Sequence, residues 1–303
     1  MRRVNAAFQA EGNMRNQPTV WPRLAGLCVA LALAWGLTAL AIAPASAVKG
    51  RLAQGGSANS AAVDVELVLA VDISQSMDPD EQRLQREGYI AALRDPEIIK
   101  AIRAGLHGRI AITYMEWAGP EIQIHLVPWR VIDGKESAEA FVGELASKEY
   151  SRYRRTSISA ALEYSNRLFD SNTVRGGRKV IDVSGDGANN SGPPLIPIRD
   201  RIVESGVIIN GLPIIVRPTM GYTSWDLPNL DIYYANCVIG GPGSFSIPIT
   251  KPEEFATATR QKLLQEISSD TPKTRVVPVQ QIMPPAGDSK YDCALLERGM
   301  RRW

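Results

Sequence analysis

Between Val65 and Met77 the chain reads VELVLAVDISQSM, and this stretch constrains the fold more than any other. Leu67-Val68-Leu69-Ala70-Val71 is apolar at every position and bounded by polar residues, the pattern of a strand buried on both faces of a parallel sheet. Asp72, Ser74 and Ser76 follow at alternate positions, where that strand should end. In an open α/β sheet, ligands bind outside the carboxyl ends of the strands. One carboxylate and two hydroxyls in that place are hard oxygen donors, suited to a small divalent cation rather than to covalent chemistry.

The residues that follow supply the other layers such a strand needs. Asp78-Pro79-Asp80-Glu81 reads as an N-cap, a first helical proline and a capping box, opening a helix that runs to about Leu93 and stops at Asp95-Pro96. A short helix is expected over Glu97–Ala104. Arg109–Glu116 alternates as a strand does, and Ile122–Val127 follows closely enough to be its antiparallel partner at a sheet edge. Helical periodicity covers Ser137–Ser147, Ser157–Phe169, Leu195–Ser205 and Pro252–Ile267, while Lys179–Ser184 and Val207–Ile215 read as buried strands. Phe245–Ile249 reads as a last edge strand, and residues 217–236 as mainly loop. Strands alternating with helices in this way predict an α/β, doubly wound fold: a mostly parallel central sheet, one antiparallel edge strand, and helices on both faces.

The flanks speak to compartment. Leu24–Ile42 is mostly apolar, preceded by arginines and followed by Ala45-Ser46-Ala47, as in a secretory signal peptide spanning residues 1–47. A start at Met14 would give a leader of ordinary length. The alternative is an uncleaved N-terminal anchor, since the run is near spanning length. Leu27 before Cys28 argues against a lipoprotein. Residues 48–62 are Gly/Ser/Ala-rich and read as a flexible linker, 63–268 as the domain, and 269–303 as a Pro-rich disordered tail.

Without the arginines of the leader the remaining chain is close to neutral, which gives no electrostatic reason to expect nucleic acid as a partner. Two histidines and three cysteines across 303 residues are too few for the usual zinc or copper clusters. His125 is expected to face solvent from its strand. Cys237 and Cys293 remain after leader removal; either they form a bridge that pins the tail, or Cys237 is simply a buried apolar residue. Tyr150–Arg155 (YSRYRR) is read as a solvated turn in preference to a binding patch, and Trp117, Trp129 and Trp225 as packing residues.

Two further oxygen positions complete a set with the first loop. Thr156 stands directly before a helix, and Asp186 follows the strand Lys179–Ser184 between Gly185 and Gly187, which allow close backbone approach. Taken singly, Asp72 could cap the turn after it and the serines could satisfy loop backbone. Taken together, D-x-S-x-S in the first loop, a Thr opening a later helix and D-G after a buried strand resemble the von Willebrand factor type A domain. More narrowly, AVDISQSM, ITYMEWAG, RRTSISAAL, IDVSGDGANNSG, INGLPI and VIGGPGSF resemble the exported bacterial family known as domain of unknown function 1194.

The resemblance implies a metal-ion-dependent adhesion site, with Asp72, Ser74, Ser76, Thr156 and Asp186 as ligands, some of them through water. Mg2+ is the implied ion, with Mn2+ or Ca2+ also compatible with these donors. Such a set leaves the ion partly charged and with an open position. The implied partner is therefore a protein offering an acidic side chain, met in the periplasm or outside the cell, with no nucleic acid and no stable membrane insertion once the leader is cut. Ser184 departs from the pattern, since many family members carry Thr beside the Asp. Two other readings compete. One is Mg2+-dependent phosphoryl transfer with Asp72 as nucleophile. Against it, haloacid-dehalogenase-like phosphatases place a second Asp two residues on, where this chain has Ser74, and no His or Lys stands in the motifs as a base. The other is a scaffold of the same fold that has lost its metal.

Overall fold

β1 (Ala61–Asp72) lies at the centre of a five-stranded sheet, order β3-β2-β1-β4-β5, in a computed structural model that describes residues 61–216, 229–268, 292–294 and 297. The expected leader, the linker up to residue 60, Trp225 and residues 269–291 lie outside the described residues. β1 pairs in parallel with β2 (Ile110–Trp117) on one side and with β4 (Val174–Gly185) on the other, and β4 continues in parallel to β5 (Val207–Pro213). β3 (Gln123–Ile132) alone runs antiparallel, against β2 at the edge. The expected architecture is the one observed.

The continuous apolar run in β1 is explained by its two neighbourhoods. Val65, Leu67, Leu69 and Val71 point into one core with α1 (Pro79–Arg94), α2 (Pro96–Arg103), α3 (Lys135–Ala146) and α7 (Phe255–Ile267). Val68 and Ala70 point into the other, with α4 (Ile158–Leu168), α5 (Leu195–Glu204) and the short helix α6 (Leu230–Tyr233), which continues as a π-helical turn over Tyr234–Val238. Both faces being covered, both sets of alternate positions are apolar through the middle of the strand, and the buried Glu66 before it accepts from the Asn172 side chain and the Gly176 amide. α1 starts as its sequence predicts: Asp78 accepts from the Glu81 amide at 2.8 Å and Glu81 accepts from the Asp78 amide at 2.9 Å.

The direction in which successive strands are added reverses between β1 and β4. From β1 the connections lead outward to β2 and β3; from β4 they lead the other way, to β5. That crevice is the topological switch point where open α/β sheets bind their ligands.

Several expectations are corrected. Phe245–Ile249 does not form an edge strand; Ser246 and Ile249 make isolated bridges to Gly211 and Ile214 beside β5. Ala61 and Ala62, placed in the linker by their composition, open β1 and pair with Val174 and Arg175. His125 is half-buried, its Nε2 2.7 Å from Thr113 Oγ1, because a bulge shifts the β2–β3 register there. The tryptophans, by contrast, pack as expected: Trp117 is fully buried, and Trp129 packs against Phe169 and donates to the Leu168 carbonyl at 3.0 Å.

Charge is buried in two places that hold helices to the sheet. Arg86 of α1 pairs with Glu116 of β2 at 2.5 Å, both 2 % exposed. Lys262 of α7, wholly buried, lies 2.6 Å from Asp182 of β4 and also meets Glu266; Tyr89 donates to Asp182 and Asn210 to Glu266. Cys237 and Cys293 form a disulfide, which settles the alternative left open by the sequence. Near it, Glu297 accepts from the Asn189 side chain and from the Leu195 amide, both at 2.9 Å. The described part of the tail thus stays on the domain.

Candidate metal site

Sheet register brings the two carboxylates together. Val71 pairs with Ser184, so Asp72, the last residue of β1, ends beside Gly185, and Asp186 follows one step on. Asp72 is fully buried. Its Oδ1 accepts from the Ser74 amide at 2.6 Å, a local turn that folds the loop back over the strand end. Ser74 and Ser76 hydroxyls lie 2.9 Å apart, and Ser76 donates to Asp186 Oδ1 at 2.7 Å. The first and third loops are therefore joined through side-chain oxygens.

Thr156 enters from the second loop. Its amide donates to Asn190 Oδ1 and its carbonyl accepts from the Asn190 amide, each at 2.9 Å. Ser157, not Thr156, caps α4, which leaves Thr156 just ahead of the cap. The Thr156 hydroxyl and methyl both lie 3.6 Å from where a Cβ on Gly187 would stand. All five residues singled out in the sequence thus gather at the ends of β1 and β4 and the start of α4.

The electrostatics are those of anions short of a cation. Burial, and then the charge of Asp186, push the Asp72 carboxyl well above the usual carboxylate range; hydrogen bonding from Ser74 and from the Asp186 backbone opposes the shift. Asp72 Oδ2 is buried and has no hydrogen-bond partner. Burial, followed by the charges of Asp72 and Asp186, also raises the hydroxyl of Tyr234, which donates to the Gly185 carbonyl at 3.4 Å. Glu81 is pushed up to about 7, mainly by burial, with the Asp186 charge contributing. A buried carboxylate oxygen with no donor, repelled by a second carboxylate, is what a divalent ion relieves, and three hydroxyls stand by as neutral hard ligands. Among the described residues no group of three or more His, Cys, Asp or Glu could hold a metal, so any ion here must draw on the hydroxyls and on water.

Gly185 leaves room for this arrangement. A Cβ there would lie 2.7 Å from Asp72 Oδ2 and 3.1 Å from the Tyr234 hydroxyl. Gly185→Ala is expected to displace the Asp72 carboxylate and destabilise the domain by about 1–3 kcal/mol, read as a lower urea midpoint.

The sequence did not point to the supporting residues. Tyr234 lies where periodicity is weak. Asn189 accepts from the Ser159 amide and hydroxyl, tying the third loop to α4, and Gln85 of α1 donates to Ser184 at 2.7 Å beneath the site. Asn189 and Asn190 stood in a quoted motif, but nothing in their type distinguishes a loop-bridging amide from an exposed one.

Residues 62–271 match the family described as "Protein of unknown function (DUF1194)", over more than half of the chain. The chain belongs to this family. No curated protein matches it. Among solved structures, the pilus adhesin SpaC from Lactobacillus rhamnosus GG is similar, with 11% identity, a TM-score of 0.50, and coverage of 68% of this chain and 31% of the adhesin. A von Willebrand factor type A protein from Catenulispora acidiphila gives 15% identity, a TM-score of 0.44, and 68% and 43% coverage. Proximal thread matrix protein 1 from the mussel byssus, solved with a zinc-occupied MIDAS motif, gives 14%, 0.46, and 69% and 47%. The chain spans less than half the length of each of these proteins. At such identities the adhesin comparison speaks to fold alone, and it agrees with the α/β sheet described above.

Proposed function

We propose that this DUF1194 domain is an exported, non-enzymatic binding module whose divalent cation is held by Asp72, Ser74, Ser76, Thr156 and Asp186. Mg2+ fits best, with Mn2+ or Ca2+ as substitutes, and a carboxylate from a partner protein completes the coordination shell. The observation that carries this reading is Asp72 Oδ2, buried without a partner beside a second carboxylate and three hydroxyls. A structural salt bridge would have supplied a lysine or arginine here; none of the ion pairs among the described residues involves Asp72. Ions of this kind keep several waters and an open position, which suits exchange for an external oxygen ligand. Export rests on the leader pattern of residues 1–47. Among the described residues no helix is long and apolar enough to cross a membrane.

Phosphoryl transfer fits the same residues less well, because Ser74 occupies the position an acid/base carboxylate would need and Asp72 Oδ1 is committed to the Ser74 amide. The test is titration of the purified exported chain with Mg2+, then Mn2+ and Ca2+, by calorimetry and thermal shift. Binding heat and a raised Tm are expected. Absence of both with all three ions sinks the metal site and leaves the scaffold reading. Turnover of a generic phosphomonoester that is lost in Asp72→Asn would favour the enzyme.

A further inference from the structure

The loop that delivers Thr156 is held down on one side and bare on the other. Arg86 donates to the carbonyls of Lys148 and Glu149, and Gln82 donates to that of Ser151. The Tyr153 amide donates to the Ile73 carbonyl at 3.0 Å, and Arg152 donates to the Gln75 carbonyl at 2.7 Å, so the segment is stitched directly to the D-x-S-x-S loop. Its backbone also packs on the β2–β3 turn, where the Arg154 carbonyl lies 3.0 Å from a Cβ position on Gly119. The turn is solvated, as its composition predicts, but its backbone is anchored.

What the loop presents is nevertheless exposed: Arg152, Tyr153, Arg154 and Arg155 in succession, immediately before the buried Thr156. Some surface arginines elsewhere are paired with carboxylates, as Arg94 is with Glu139, Arg130 with Glu144 and Arg201 with Glu163. The exposed Arg103, Arg167 and Arg175 stand singly in the sequence and join no ion pair among the described residues; only here, among those residues, do three arginines cluster on one loop. None of the ion pairs among the described residues involves Arg152, Arg154 or Arg155. Arg155 is also the one non-glycine residue among those described with a left-handed backbone, φ 71°. A residue with a Cβ pays for that conformation, and such strain persists where surrounding structure enforces it, often beside binding sites. Of the nearby acids, Asp78 and Glu81 cap α1 and Asp80 pairs with Arg83, while Glu121 Oε2 and Arg155 Cβ both lie within 4 Å of a Cβ position on Gly119 without forming an ion pair.

We propose that Arg154 and Arg155, flanked by Arg152 and Tyr153, form a second contact surface beside the metal point, and that the partner is a protein segment bearing several clustered carboxylates. One carboxylate would reach the ion while its neighbours engage the guanidinium groups, whose planar forks match carboxylate geometry. The proposal rests on the metal reading above and extends it from one acidic side chain to an acidic segment. A bound divalent ion offsets the charges of Asp72 and Asp186, so the surface offered to the segment becomes net positive. Without the ion those same two carboxylates repel it. Binding should therefore need the cation and weaken as salt rises.

The test is fluorescence anisotropy with a fluorescein-labelled octapeptide of alternating Asp and Glu, added to the full exported chain in Mg2+ and in chelator, with Mg2+ affinity measured separately by calorimetry. Wild type is expected to bind the peptide only with Mg2+. The double variant Arg154→Glu/Arg155→Glu should bind it at least about tenfold more weakly with Mg2+ affinity unchanged. Arg154→Lys/Arg155→Lys, which keeps both charges but not the planar forks, should bind with an affinity between those of wild type and the charge-reversed variant, which separates lost charge from a damaged loop. Equal peptide affinity in wild type and the charge-reversed variant overturns the proposal, as does no peptide binding by a protein that takes up Mg2+. Peptide binding that is lost on charge reversal in a protein that takes up no Mg2+ overturns the metal reading and keeps the arginine surface. Stronger, Mg2+-independent binding of inorganic polyphosphate at the same arginines overturns the assignment to a protein partner.

Discussion

Asp72→Asn is expected to abolish the Mg2+-dependent rise in Tm while leaving the metal-free protein at least as stable as wild type. The amide keeps an oxygen for the Ser74 amide but removes a charge that is fully buried, carries one unpartnered oxygen and faces Asp186. Desolvation and like-charge repulsion both disfavour that charge when no cation is present. The wild-type protein should gain about 2.7 kcal/mol at a Mg2+ concentration near 100 times Kd, and the variant close to nothing. Thermal melts of both proteins with and without Mg2+ decide it. A metal-free variant that melts well below wild type would mean that Asp72 is a structural loop cap, the reading its Asx turn allows.

The second large effect lies at Lys262. Lys262→Met would leave Asp182 and Glu266 buried together with Tyr89 and Asn210 as their remaining partners. Breaking a buried ion pair by removing one partner costs about 3–5 kcal/mol, because the remaining charge is uncompensated. Urea unfolding should show that loss as a lower midpoint at unchanged m. The pH dependence has a definite sign. Burial, and then the charge of Asp182, raise Glu266 from its ordinary 4.5 to about 7, and burial raises Asp182 as well. A carboxyl whose pKa is higher in the folded state contributes stability that is fully present below the unfolded value and is lost as pH rises through the folded one. Wild type should therefore be more stable near pH 5 than near pH 8, with the fall centred between about 4.5 and 7. In Lys262→Met the fall should be steeper and should reach higher pH, since the cation that favours both charged carboxylates is gone.

This cluster also shows where sequence reading stops. The strand Lys179–Ser184 was legible as buried from its apolar residues, and Asp182 sits in its middle. An acid in a run buried on both faces demands a partner, but nothing local says that the partner is Lys262, eighty residues on in a helix whose inward face reads as Phe255, Ala258, Leu263 and Ile267. Those four do point inward; Lys262 and Glu266 join them because their charges cancel over a contact that only the tertiary fold creates. The candidate ligands were legible for the opposite reason. Asp72, Ser74 and Ser76 are fixed by one strand end, and the parallel register of β1 with β4 then delivers Asp186 to the same point. Where no period or motif operates, as in the Tyr150–Arg155 loop and at Tyr234, composition did not disclose the contacts the structure supplies, the Arg152 bond to the Gln75 carbonyl and the Tyr234 bond to that of Gly185.

The family match ends at residue 271, yet the first amide of α5 finds its acceptor in Glu297, 102 positions later in the chain. α5 opens after Pro194, which offers no side-chain cap, so the tail does from afar what a neighbouring Ser or Asp would ordinarily do. The same carboxylate oxygen holds Asn189, three residues from Asp186, and the Cys237–Cys293 bond sets how far the tail can stray from that post. The contacts of the domain thus run beyond the unit that sequence comparison outlines, and the loop carrying Asp186 and Asn189 is held in part by a residue outside that outline.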